Sequence, residues 1–367
     1  MKTSEYMPVM ESACNLSWLL ERDDMESWLK ANPQQYLLLT NYCDSQLHEA
    51  YELQCSKAKR SIQQTLHTIY GCQFSDPLSA KAKNYTHPLV ISIKRQIENK
   101  WLEYEINRLP EYDYESGVDG LFSILKNHKA FNHPLFYFLE NEATEAHMDY
   151  FFLSDSSLNI LFFDILAMML PGSHLTIRDE ICRNFWDEAG RGNEKLTHIR
   201  LFNNLLKSRG ITTPADDIYD WQGYSGSNLF MVGATNRENY YKLIGVMAIT
   251  EILDPPLYKK IINGANRLKM NEKYLSYYLE HIDVDVIHAE GWFGNVIEPL
   301  IKLYPNARRD IFIGALLRLQ TCSDYYDGLL SKMKPQQIKN YCSMKKYYKY
   351  IFCLYKGVCY VTKIFSC

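Results

Sequence analysis

The chain has 367 residues, and its 40 basic and 43 acidic side chains leave a formal net charge of −3, which gives no overall attraction to nucleic acid. No continuous apolar segment follows Lys2, so we expect no secretory signal, and the apolar run 158–170 is too short to span a bilayer. The ten cysteines form no C-x2-C pair, which favours reduced thiols over a zinc site and predicts a cytoplasmic protein.

Residues 1–84 predict a helical extension. Tryptophans and leucines recur there at loosely helical spacing, and no motif in this range carries chemistry. From Pro88 to Leu109 apolar residues recur every three or four positions, as in an amphipathic helix, and Pro110 ends the pattern. The predicted domains are this extension, a main domain at 85–325 and a tail at 326–367.

A buried helix is predicted after Thr144, which is placed to cap it with Glu145 in the first turn. The segment 145–170 is apolar nearly all round, so we expect it to be buried. Asp155 lies in its middle, and a carboxylate in a buried helix needs a partner or a metal. The alternative is a helix N-cap by Ser154 or an internal turn at 154–157, either of which leaves that carboxylate without a functional role.

An aromatic and acidic stretch follows at 184–198, with the sequence NFWDEAGRGNEKLTH. Gly190 and Gly192 permit a tight turn between Glu188 and a second amphipathic helix that carries His198. The glycine pair is not a phosphate-binding loop, because no strand precedes it. A single Glu or His is more often structural than a ligand. Glu188 and His198 are therefore candidate ligands only in combination with other such residues.

Residues 209–237 are rich in Gly, Thr, Asp and Ser and predict a long connection, of the kind that often lines a site. The next predicted helix places Glu251 among apolar residues and stops at Pro255 and Pro256. A glutamate on such a face costs free energy unless it is paired.

The most informative stretch is 278–299, where His281, Asp285 and His288 share one face of a predicted helix. Two imidazoles and a carboxylate over two turns suit a transition ion, and iron is the usual occupant where positions stay open for a small molecule. The alternative is a helix with a solvated polar stripe.

The C-terminal tail has a different character. Lys349, Lys356 and Lys363 recur every seven residues among aromatic side chains, so a helix here would carry one cationic line on an apolar rod. Such a rod docks on a partner or on an anionic membrane. The alternative is a terminal element packed on its own domain.

The combination of these features resembles the haem-oxygenase-like diiron oxidases, also called iron-containing redox enzymes. Three features carry the resemblance: the stretch 184–198, Glu251 thirty residues before His281, and EHIDVDVIHAEGW at 280–292. The resemblance spans roughly 133–301 and is closest to the branch that contains the N-oxygenase of N-nitrosourea biosynthesis. It implies an all-α fold, a bundle of about seven helices with an N-terminal helical extension.

The resemblance also implies two ferrous ions per chain as cofactors. The positions that match the family's metal ligands are Asp155, Glu188, His198, Glu251, His281, Asp285 and His288. The first core helix of the family normally supplies a glutamate, for which the nearest register here gives Asp155. A competing register uses Glu140 and His147, and we prefer Asp155 because Glu140 precedes the cap at Thr144. The neighbouring aromatics Phe185, Trp186 and Trp292 either form a dry shell around the ligands or belong to the core.

By resemblance, the function is that of a non-haem diiron oxygenase, which activates O2 to oxidise a small, amino-acid-derived substrate by N-hydroxylation or by oxidative C–C cleavage. The expected partners are this substrate and O2, with a homodimer and an electron donor as further expectations. Spacing does not identify the substrate. Two other hypotheses are a lapsed scaffold that acts as a binding protein, motivated by Asp155 and the tail, and a haem-binding or cofactorless relative.

Overall fold

The computed structural model describes residues 12–211 and 219–334. Every regular element in these two ranges is a helix, so the predicted all-α class is confirmed. The described residues form two compact units, one from 12–112 and 219–243 and the other from 113–211 and 244–334. The predicted boundaries at 84/85 and 325/326 stay predictions. The lysine-rich repeat of the tail lies outside the described residues.

The first unit is built around α4. Its complete helices are α1 (Ser12–Leu20), α2 (Met25–Ala31), α3 (Pro33–Tyr51), α4 (Ser56–Gly71), α5 (Ala80–Asn84), α6 (Pro88–Asn107) and, after residue 216, α13 (Trp221–Thr235). The helix α4 packs against α1, α3, α6 and α13. Its apolar residues Ile62, Leu66 and Ile69 are almost completely buried, at the three- and four-residue spacing of an amphipathic helix.

The second unit holds the remaining helices. They are α7 (Gly117–Asn127), α8 (Pro134–Asn141), α9 (Glu145–Asn159), α10 (Phe162–Met169), α11 (Leu175–Glu188), α12 (His198–Ser208), α14 (Tyr240–Arg267, which begins in the first unit), α15 (Ser276–Gly291), α16 (Glu298–Leu303) and α17 (Ala307–Met333). A π-helical turn at Trp292–Ile297 joins α15 to α16. Among these helices, α11 and α12 both contact α15.

The predicted long connection at 209–237 is wrong for its second half, because residues 221–235 form the helix α13. Small and polar residues there serve as a contact face. Asn228 is fully buried, and its side-chain nitrogen donates to the backbone and side-chain oxygens of Gln63 on α4 at 2.9 and 2.8 Å. A Cβ atom at Gly233 would lie 2.5 Å from Cβ of Leu243, so only glycine allows this approach. Tertiary packing outweighs the weak helix propensity. Residues 212–218 lie outside the described ranges.

The cap predicted at Thr144 is present, since its side-chain oxygen accepts from the backbone nitrogen of His147. The single helix predicted to reach residue 170 is wrong, because α9 ends at Asn159 and α10 begins at Phe162. At the break, the amide of Leu161 bonds to the carbonyl of Leu158, three residues back, so the helix tightens before it restarts.

The predicted stop at Pro255 and Pro256 is also wrong, because α14 continues to Arg267. Each proline removes one backbone hydrogen bond and costs the helix roughly 3 kcal/mol. Leu253, Leu257 and other apolar residues on both sides of the pair are buried. Each buried leucine contributes about 1.5–3 kcal/mol, so packing offsets the cost of the two prolines.

One described stretch, 145–169, is long and apolar enough to cross a membrane by length and composition. Buried helices of soluble proteins pass the same test, and this stretch includes the break between α9 and α10. It therefore carries little weight as a membrane signal.

The contact between α14 and α17 gives a test of the packing. A Cβ atom at Gly245 would lie 1.8 Å from the carbonyl oxygen of Ile311, which belongs to a helix backbone and cannot turn aside. We expect Gly245→Ala to lower the free energy of unfolding by about 1–3 kcal/mol or more. Gly294→Ala is the control, because it meets no atom within 4 Å and should change stability by at most about 1 kcal/mol, in the stabilising direction. Chemical denaturation compares them, and equal stability of both variants would contradict the packing.

Candidate metal centre

Six of the seven predicted ligands form two buried groups in the second unit. Triad A consists of Glu188, His198 and His281, and triad B of Glu251, Asp285 and His288. Within each triad, one potential ligand atom per residue lies within 4.8 Å of the other two. Triad A has the two-histidine, one-carboxylate composition that non-haem ferrous oxygenases use. Triad B has one histidine and two carboxylates.

A tight turn brings two members of triad A together. Glu188 is the last residue of α11 and His198 the first of α12, and the turn between them has three consecutive residues with positive φ, at 67°, 53° and 82° for positions 190–192. A Cβ atom at Gly190 would lie 2.6 Å from backbone atoms of Leu196 and Thr197, so the close return requires glycine. As a result, Nδ1 of His198 lies 2.8 Å from Oε1 of Glu188.

The helix α15 supplies three of the six side chains. His281, Asp285 and His288 are all buried, so the predicted shared face exists and is not a solvated stripe. The structure divides them between the two triads, with His281 in triad A and the other two in triad B. One helix therefore connects the two groups.

Hydrogen bonds fix the orientation of two imidazoles. Nδ1 of His281 donates to the backbone oxygen of Tyr277 at 2.6 Å, which leaves Nε2 directed to triad A, 3.8 Å from Glu188. Nε2 of His288 donates to Oδ2 of Asp187 at 2.9 Å, which leaves Nδ1 3.4 Å from Glu251. Such partners of a histidine set which nitrogen is free for a metal.

The donor set fits a cation. Nδ1 of His198 is buried and has no hydrogen-bond partner among the described residues, although Oε1 of Glu188 lies 2.8 Å away. A nitrogen and a carboxylate oxygen that face each other without a hydrogen bond are arranged as two ligands of one ion would be. Asn184 donates to Oε1 of Glu251 at 2.7 Å and holds that carboxylate in place.

The protonation of the triads reflects their crowding. Burial favours the neutral form of Glu188, but His198 and His281 outweigh it and lower the pKa of this carboxyl to about 2. Burial and the neighbouring Glu251 raise the pKa of Asp285 well above its usual range. For His288, burial favours the neutral ring, but Asp187 and Glu251 hold the proton and raise the pKa to about 10.

Asp155 belongs to neither triad. Its Oδ2 accepts hydrogen bonds from Asn159 at 2.9 Å and from Tyr278 at 3.4 Å, and burial raises the pKa of this carboxyl to about 6. Its role as a metal ligand stays a prediction. The competing pair also lies outside both triads: Glu140 accepts from Asn263 at 2.7 Å, and His147 completes the cap of α9.

The sequence analysis missed Asp254, which lies one helical turn after Glu251. Burial raises the pKa of Asp254 to about 7, and its side chain lines a cavity of about 20 Å³ together with members of both triads. Such a volume holds about one water molecule. Other residues that line it are Asn159, Phe162, Thr250, Tyr258 and Tyr277. The i, i+3 spacing from Glu251 was the available signal.

Two further charged residues escaped the sequence analysis. Arg318 is buried on α17, and its Nε donates to Oγ1 of Thr250 at 2.9 Å. An arginine inside the apolar run IFIGALLRLQ was the signal for it. Asp187 precedes Glu188 directly, yet only the structure shows that it bonds to His288.

The predicted aromatic shell is partly wrong. Trp292 is fully buried, and Phe185 stacks on Phe163 with 4.6 Å between ring centroids. Trp186 instead has an exposed fraction of 55% and lies over Gly192, so it cannot exclude water from a buried centre. It lines a surface pocket of about 430 Å³, to which Asp187 and His288 also contribute.

Comparison with known proteins agrees with this geometry. Residues 150–322, which include all seven predicted ligands, match the model of a family described as iron-containing redox enzymes. This segment is therefore similar to that family. A protein of Streptantibioticus cattleyicolor described as 4-chloro-allylglycine synthase is 24% identical over 220 residues, which cover 58% of this chain and 82% of that protein. The match confirms the predicted resemblance to the iron-containing redox enzymes. It also supports an oxidative, iron-containing enzyme class. The predicted closeness to the N-oxygenase branch stays a prediction.

The raised pKa values predict that a cation at triad B displaces protons. His288, whose pKa is raised to about 10, holds a proton near neutral pH and must release it to bind a metal, and the raised pKa of Asp285 favours a second proton there. Because both pKa values are raised, metal affinity should increase as the pH rises, by about ten- to a hundredfold per unit between pH 6 and 8. Anaerobic calorimetry with Co²⁺ in two buffers of different ionisation enthalpy counts the protons. No release, with an affinity independent of pH, would contradict the assignment.

Proposed function

We propose that this protein is a non-haem diiron oxygenase of the cytoplasm, which uses O2 to oxidise a small, amino-acid-derived substrate. The observation that carries the proposal is the pair of buried triads joined by α15. The family supports iron and redox chemistry, and the two groups support two metal positions in one chain.

The buried charge favours two divalent ions. Five carboxylates surround or adjoin the cavity: Asp155, Glu188, Glu251, Asp254 and Asp285. The guanidinium of Arg318 lowers the pKa of Asp155 and Asp254. As metal ligands the imidazoles are neutral, so ionisation of all five carboxylates leaves four negative charges beyond the guanidinium of Arg318, which two ferrous ions would balance. Uncompensated charges in an interior are costly, so this excess indicates a bound cation rather than an empty core.

The residues of the chain would hold and orient such ions. Triad A would bind one and triad B the other, and ferrous ions with open positions supply the electrons that activate O2. The backbone of Tyr277 orients His281, Asp187 orients His288, and Asn184 orients Glu251. Burial of all six ligands keeps bulk water away from the reacting site.

An amino-acid-derived substrate is supported by the relative whose name specifies the synthesis of a substituted allylglycine, itself an amino acid. N-hydroxylation and oxidative C–C cleavage are the two outcomes we propose. Hydroxylation takes two electrons from the substrate, so an external donor must supply two more, and one oxygen atom then enters the substrate while the other leaves as water. The cavity of about 20 Å³ is smaller than an amino acid. Substrate binding therefore requires the cavity wall to move.

The hypothesis of a lapsed scaffold gains no support from the described residues. It was motivated by Asp155 as a weakened ligand and by the tail; both triads form without Asp155, and the tail lies outside the described residues. No observation in residues 12–211 and 219–334 favours a haem site over the two triads.

Anaerobic titration with ferrous iron tests the proposal. We expect about two ions per chain, followed by a transient visible absorption when the loaded protein is mixed with O2 in a stopped-flow instrument. Mass spectrometry of candidate amino acids after the reaction, with ¹⁸O2, then distinguishes hydroxylation from cleavage. Binding of fewer than one ion per chain, with or without these substrates, would contradict the diiron assignment.

His281→Ala gives a sharper test of the ligands. Removal of this imidazole should cost one of the two ions and abolish the O2-dependent absorption, while far-UV circular dichroism stays largely unchanged. The matched control is His147→Ala, which removes a histidine that caps α9 and lies outside both triads. It should bind two ions like the parent. If the two variants behave alike, the assignment of triad A is wrong.

A further inference from the structure

We propose that Asp187 and Arg191 are positioning residues for His288, and that they set the metal affinity of triad B without affecting triad A. This inference rests on the proposed function, because it requires that the triads hold metal ions. The two residues, with Glu280, form an arm that runs from His288 to the protein surface.

The arm consists of consecutive short contacts. Oδ2 of Asp187 accepts from Nε2 of His288 at 2.9 Å, and Oδ1 of the same carboxylate accepts from Nε of Arg191 at 2.6 Å. Nη2 of Arg191 then lies 2.7 Å from Oε1 of Glu280. Because Glu280 and His288 both belong to α15, the arm ties the end of α11 and the following turn to the helix that carries three ligands.

The backbone of Arg191 is unfavourable for its side chain. It lies between two glycines and has a φ of 53°, a conformation that costs a residue other than glycine about 1 kcal/mol or more. Glycine would adopt this conformation without that cost, as Gly190 and Gly192 do. The contacts of the guanidinium with two carboxylates offset the strain, and both contacts belong to the arm.

The two triads differ in what orients their histidines. In triad A, His281 donates to a backbone oxygen, which no side-chain substitution removes. In triad B, His288 depends on the side chain of Asp187, which lines the surface pocket and has an exposed fraction of 22%. His288 of triad B is therefore oriented by a partly exposed side chain, whereas His281 of triad A is oriented by the backbone.

The chemical effect of Asp187 follows from its charge. An ionised carboxylate that accepts the Nε2 proton keeps the ring in the tautomer whose Nδ1 is free, and it raises the basicity of that nitrogen. Arg191 holds this carboxylate in one orientation from its other oxygen. Loss of such a partner typically lowers metal affinity by about 10- to 100-fold.

The test is an anaerobic Co²⁺ titration of full-length variants, followed by visible absorption and calorimetry. Two backgrounds isolate the triads: His281→Ala leaves triad B intact, and Glu251→Ala leaves triad A. Asp187→Ala should weaken Co²⁺ binding about 10- to 100-fold in the first background and by less than about twofold in the second. Arg183→Ala is the control, because Arg183 lines the same pocket without touching a triad and should change neither affinity.

A second variant distinguishes a loss of metal affinity from misfolding. Arg191→Gly removes the arm's guanidinium but relaxes the backbone, so the melting temperature should stay close to the parent's while triad B weakens. Equal loss at both triads, or no loss at triad B in either variant, would overturn the inference. If the unmodified protein binds no Co²⁺ and no Fe²⁺, the proposed function fails and the inference fails with it. Two normal sites in the parent with unaffected variants would refute the inference alone.

Discussion

The structure depends on how it compensates the negative charge enclosed by the helices of its second unit. Carboxylates from α9, α11, α14 and α15 lie in one region. Burial raises the pKa of Asp155, and burial together with repulsion between carboxylates raises the pKa of Asp254 and Asp285. A helical bundle can hold such groups because its backbone hydrogen bonds are satisfied within each helix. The charges of the enclosed side chains must then be neutralised by one another or by cations. This constraint explains the asparagine and tyrosine side chains that bond to the enclosed carboxylates.

The turn at 190–192, between α11 and α12, positions residues of both triads. The sequence GRG at 190–192 uses three residues with positive φ to end α11 and begin α12 within a few residues. That short return places Glu188 beside His198, and the side chain of Arg191 extends back toward Asp187 and His288. A single turn thus contributes to both triads, directly to triad A and through hydrogen bonds to triad B. Longer connections would leave the same residues free to separate.

Much of this arrangement could be predicted from the sequence, since it depends on helical periodicity. The spacing of His281, Asp285 and His288 placed them on one buried face, and Glu251 among apolar residues indicated an enclosed carboxylate. The division of α15 between two triads could not be predicted, because it depends on which neighbouring helix faces each turn. The arm joins Asp187 and Arg191 to residues of α15 that lie about a hundred positions later in the chain. No local sequence pattern therefore indicated it.

The errors have a common physical origin. The helix α13 was taken for a connection and α14 was ended at its prolines, since in both cases local propensity was weighed without the packing that overrides it. Asp155 is a different case, because its role as a ligand stays a prediction. Asn159, four residues later on the same helix, and Tyr278 donate hydrogen bonds to this buried carboxylate. For Trp186 both predicted alternatives, a dry shell and the core, are wrong, because its side chain lies on the surface.

The central claim is that this protein carries two metal positions defined by triads A and B. Crystals grown anaerobically with ferrous iron, with diffraction recorded on both sides of the iron absorption edge, test it most directly. The account predicts two anomalous peaks, one among Glu188, His198 and His281 and the other among Glu251, Asp285 and His288. A single peak shared by both groups, or peaks only at other sites, would contradict it.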